Sequence, residues 1–166
     1  MSAVDRSPAR LSSALGLAFG TTVLFLLGSS GLSLAVGPGL FGMGVLVVGL
    51  RRQSRLFLTL GVSGLLVGVV VIGLLGARPV PLLIATVATV LTWDVTENAI
   101  TVGERLGRDA ETWPVEIVHV ATTAVVSFFS AGAAILVFHL SIDGAPAAAV
   151  IVLLLAGVFL ALGLRT

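Results

Sequence analysis

Apart from His139, the ionisable residues of this 166-residue chain are confined to its two ends, to short turns and to one segment, and that confinement limits the fold more than any other feature. Residues 93–119 carry six of the eight acids: Asp94, Glu97, Glu104, Asp109, Glu111 and Glu116. The same segment holds both tryptophans, Trp93 and Trp113, and His119, one of two histidines. Elsewhere the chain is a succession of apolar runs, mostly close to the roughly 20 residues a helix needs to cross about 30 Å of hydrocarbon. Soluble domains carry about a quarter charged residues; here the fraction is 10%, with 57% hydrophobic. The chain reads as an all-α integral membrane protein.

Six runs fit membrane spans, at about 11–28, 31–50, 56–76, 81–102, 115–140 and 147–164, in a single transmembrane domain over 1–166. A polar cytoplasmic turn is expected at 103–114. The basic head before the first run (Arg6, Arg10) resembles a signal peptide, but immediate continuation into apolar sequence favours an uncleaved helix. Proline in Gly37-Pro38-Gly39 removes a backbone bond and predicts a kink near the middle of the second run. Six spans put both termini on one side, together with eight of the nine arginines; only Arg78 falls opposite. That bias is the positive-inside pattern and makes the termini cytoplasmic. A rival topology, with one long helix to Val36 and a re-entrant segment over 39–50, would place Arg51–Arg55 outside, against the bias. The two halves have unlike loops, so no internal repeat is read.

Composition also excludes several functions. The arginines form no stripe or patch, so no nucleic acid is expected. There is no cysteine for thiol chemistry or thiolate metal sites, and no lysine. No HExxH pattern and no nucleophile elbow is present, so no cofactor is implied and an enzyme is disfavoured.

The fourth run carries the argument about function. Pro81 to Thr92 is only twelve residues, about 18 Å of helix and too short to cross. A crossing helix must continue through Trp93, Asp94 and Glu97 to about residue 101 or 102. That places Asp94 roughly 10 Å and Glu97 about 6 Å inside the boundary. The next helix enters from the same side after Pro114 and brings Glu116 and His119 to similar depth. The expected cluster is Asp94, Glu97, Glu116 and His119. On the fifth helix Glu116, His119, Thr123, Ser127 and Ser130 are three or four apart and share a face.

Each feature also has a plainer reading. Glu116, in the first turn after Thr112 and Pro114, suits its own helix's free amides and dipole. His119 then simply hydrogen-bonds Glu116, and the hydroxyls act as interhelical glue worth about 1 kcal/mol or less each. Trp93 and Trp113 read as interfacial anchors. Glu104, Arg105, Arg108, Asp109 and Glu111 read as a solvated, ion-paired turn. Glycine pairs such as Gly16/Gly20 and Gly64/Gly68 are expected by chance in a Gly-rich chain. Asp94 resists such explanations best, because an intramembrane carboxylate must be paired, protonated or facing water.

Three motifs carry a family resemblance: Trp93-Asp94-x-x-Glu97, then Gly103-Glu104-x-Leu106-Gly107-Arg108-x-Ala110-x-Thr112, then Glu116-x-x-His119. Over these residues the chain resembles an uncharacterised family of small multi-pass membrane proteins from haloarchaea. The resemblance implies an archaeal plasma membrane and an accessory role in a complex, without an assigned activity.

Three functions follow as expectations. The first is a structural or accessory subunit, whose polar seam fixes helix registry against a membrane-protein partner or a second copy of the chain. The second is a proton or small-cation transporter using Asp94, Glu97 and His119. The third is an intramembrane enzyme using a metal, for which Asp94, Glu97, Glu116 and His119 have the one-face spacing of carboxylate–histidine ligands but too few donors for a di-metal centre.

Overall fold

The computed structural model describes residues 7–106 and 113–140, with side chains to 136. These residues form helices and short turns, without a strand among them. The helices are α1 (Arg10–Ser29), α2 (Ser33–Arg52), α3 (Arg55–Leu74), α4 (Pro79–Leu106) and α5 (Trp113–Leu140). All five are long and apolar enough to cross a membrane, as a multi-pass membrane protein requires. The run at 147–164, the turn before it, Arg6, Arg108, Asp109 and Glu111 lie outside the described residues. The chain divides after Ser127 into two compact units. The first holds α1–α4 and the start of α5; of the second, only the remainder of α5 is described.

Helix boundaries follow local chemistry. α2 begins at Ser33, so Pro38 falls in its second turn and not near its middle. The helix runs on unbroken, and the proline withholds a bond only from the Leu34 carbonyl. α2 and α3 are joined by two residues. Gln53 adopts a left-handed conformation (φ 52°) there, while Ser54 N–H donates back to the Gly49 carbonyl at 3.0 Å. At the end of α3, Gly76 (φ 84°) makes the same reversal, and Ala77 N–H reaches the Ile72 carbonyl at 2.9 Å. α4 is longer than expected at both ends. Pro79 and Pro81 sit in its first turn, where backbone N–H groups have no helical partner to lose. At the far end it continues through residues 103–106, which the sequence assigns to the polar turn.

Packing is built on small residues, as it must be where lipid competes equally well for apolar side chains. α2 and α3 approach through Gly42 and Gly61. A Cβ on Gly61 would stand 2.6 Å from Leu46 N, and one on Gly42 would stand 2.6 Å from Leu65 N. α1 lies along α4 through Gly16, which meets the Thr96 methyl, and Gly20, close to Thr92. Thr89, Thr92 and Thr96 are buried there. Their hydroxyls bond carbonyls one turn back (2.8, 2.7 and 2.6 Å), leaving their methyls for packing. Two apolar clusters result. Val23, Leu27, Leu65, Val69, Ile72 and Ala85 fill one end of the bundle. Leu46, Leu50, Leu58, Ala99 and Ile100 fill the arginine-rich end.

Candidate functional site

The polar seam forms at the arginine-rich end, where α1, α3 and α5 begin and α2 and α4 finish. α4 is a single helix of 28 residues, about 42 Å long, so Asp94 and Glu97 sit within its body and not in a loop. α5 carries Glu116 in its first turn and His119 one turn later.

The structure divides the expected cluster into three separate contacts. Asp94 meets His119: Oδ2 and Nε2 are 2.9 Å apart, with both side chains about one-third exposed. Among the described residues neither atom has an aligned hydrogen-bond partner. The contact is an electrostatic pair when His119 is protonated.

Glu116 reaches α1. Its carboxylate, 2% exposed, accepts the Ser12 backbone N–H at 2.6 Å. α1 starts after Ala9 without a side-chain cap of its own. Ser12 is its third residue and carries one of the free amides that every helix start presents. Glu116 is therefore a cap supplied by another helix, placing negative charge at the positive end of the α1 dipole. The approach to α1 needs close chain passage. Ala9 N–H donates to the Ala99 carbonyl at 2.9 Å. A Cβ on Gly103 would collide with the Ser7 carbonyl oxygen.

Glu97 joins a third group. Arg55, at the start of α3, reaches Glu97 Oε1 at 3.3 Å and Glu104 Oε2 at 3.0 Å. It also donates to the Thr101 hydroxyl at 3.3 Å. The partner of Glu97 is thus an arginine 42 residues earlier, not the acid–histidine pair on α5. These side chains are half exposed, so each ion pair contributes at most about 1 kcal/mol.

Thr123 and Ser127 continue the His119 face of α5 as half-buried residues. Two further groups belong to the seam that sequence spacing did not single out. Asn98 lies one turn from Asp94 on α4, and its buried Nδ2 has no hydrogen-bond partner among the described residues. The fully buried Ser12 hydroxyl is likewise unpartnered. The i, i+4 relation to Asp94 was a usable signal for Asn98; nothing in the sequence marked Ser12. Among the described residues no three Asp, Glu or His side chains gather as a metal-binding set. Chemically, the seam offers an acid–imidazole pair, a buried carboxylate on a helix start, and two unpartnered polar groups nearby.

No curated protein and no solved structure matches this chain. A family model does match, and it runs over residues 6–161, far beyond the 93–119 segment that carries the polar seam. The chain belongs to the Family of unknown function (DUF7519).

Proposed function

We propose that this protein is a structural or accessory subunit of an archaeal plasma-membrane assembly. In this reading it is one domain of six spans with cytoplasmic termini, and its polar seam docks α5 against the rest of the first unit. One observation carries the reading. Of the α5 residues in the first unit, Glu116 alone is buried among those described. Val118 and Val125, in the same unit, are 65% and 69% exposed. A helix that buries a carboxylate and leaves its apolar faces open is registered by polar contacts. Those open faces are for lipid and for a membrane-protein partner or second copy of the chain.

A second reading, proton or small-cation transfer, draws on a different observation. Asp94 Oδ2 and His119 Nε2 sit close without an aligned hydrogen bond, and Asn98 Nδ2 and Ser12 Oγ are unpartnered. Intramembrane groups of this kind are the usual ingredients of a proton path.

One paired experiment separates the two. For the double variant Asp94→Asn with His119→Gln, the structural reading expects loss of copurifying partner or of self-association in mild detergent. Proteoliposomes of the wild-type protein should show no pH- or cation-driven flux. A flux that the double variant abolishes, with association intact, would overturn the structural reading in favour of transport.

A further inference from the structure

A cleft of about 560 Å³ opens at the arginine-rich end between the start of α1 and the end of α2. Its lining shares no residue with the polar seam, and its walls change character with depth. On α1, Arg10, Ser13 and Leu17 follow at i, i+3 and i+7 and share a face. On α2, Val47 stands one turn inside Arg51, with Gln53 at the rim. Both walls therefore run from guanidinium at the helix end to aliphatic side chain within the bundle.

The two arginines also lack a counter-charge among the described residues. Arg55 is held by Glu97 and Glu104, and Arg52 lies 5.8 Å over the Phe57 ring. Arg10 and Arg51 form no ion pair among the described residues. Two like charges in one cleft repel, and an anion between them removes that penalty. Available donors are the two guanidiniums and the Gln53 amide, since the Ser13 hydroxyl already bonds the Ala9 carbonyl at 2.7 Å. An anion with an aliphatic tail satisfies both depths of the cleft, and the volume is in the range of small-ligand sites. We infer that this cleft holds the headgroup of an anionic phospholipid, its phosphodiester between Arg10 and Arg51 and its first methylenes against Leu17 and Val47.

The inference depends on these helices spanning a bilayer and is independent of the role of the seam. It is tested on the full chain in nanodiscs of phosphatidylcholine doped with phosphatidylglycerol, reading retained lipid by native mass spectrometry. Wild type should retain phosphatidylglycerol over phosphatidylcholine. Arg10→Gln and Arg51→Gln should each lower that preference about fivefold, given the usual strength of one basic side chain at an anionic surface. Arg52→Gln, outside the cleft, should leave it unchanged. Added inorganic phosphate distinguishes a simple anion site from a lipid site: competition at millimolar concentration would overturn the lipid assignment. Equal retention of both lipids by wild type, or an equal loss with Arg52→Gln, would overturn the cleft itself. Incorporation into neutral-lipid nanodiscs is scored separately, so failure of the spanning topology is not mistaken for failure of the site.

Discussion

Glu116→Ala should be the most damaging single change in the seam. The Ser12 N–H that Glu116 accepts belongs to a fully buried residue. Removing the acceptor leaves that donor dry, which costs about 1–3 kcal/mol, and more when the lost partner was charged. α1 has no cap of its own to compensate. Thermal unfolding in detergent should fall accordingly. Hydrogen exchange should quicken in the first turn of α1 and along α5, while α2 and α3 keep their protection. Glu116→Gln retains an acceptor oxygen and should recover part of the loss. Equal exchange in wild type and Glu116→Ala would mean that the cap does not hold α1.

Gly61→Ala should destabilise by about 1–3 kcal/mol, the usual range for overpacking. The atoms in the way are backbone, Leu46 N at 2.6 Å and Gly42 O at 2.8 Å, so no rotamer change relieves the clash. Two whole helices must separate. Gly44→Ala, on the same helix pair, meets nothing within 4 Å. There the gain in helix propensity, up to about 1 kcal/mol, should stand uncontested. Thermal denaturation of the two variants side by side checks the claim; similar midpoints would refute the close approach of α2 and α3.

Much of the architecture was legible in the sequence because apolar length and turn chemistry are local. The apolar run from Pro81 is only twelve residues, so α4 had to continue through Asp94 to cross, and it does. The extra turns at 103–106 were missed because Glu104 and Arg105 read as solvated. Their helix is supported instead by Arg55, a contact across 49 residues of sequence. Long-range partners explain the other shortfalls too. Spacing grouped Glu97 with Asp94, but each side chain chose the nearest opposite charge or free amide on a different helix. The glycine pairs looked like chance at the level of composition; their role appears only when the opposing backbone is known. Asp94 and His119 do meet, as a short connection between their two helices already implied.

The central claim is that α4 crosses the bilayer with its carboxylates inside it. The chain has no cysteine, so single-cysteine variants can be labelled without background. Trp93 and Leu106 are nearly equally exposed, at 47% and 53%, so different reactivity at the two positions reports the surroundings and not burial. They are about 20 Å apart along α4. With membrane-impermeant maleimide on sealed vesicles of either orientation, Leu106→Cys should react from one side only and Trp93→Cys from neither. Labelling of Trp93→Cys as fast as Leu106→Cys would put Asp94 in water and contradict the account.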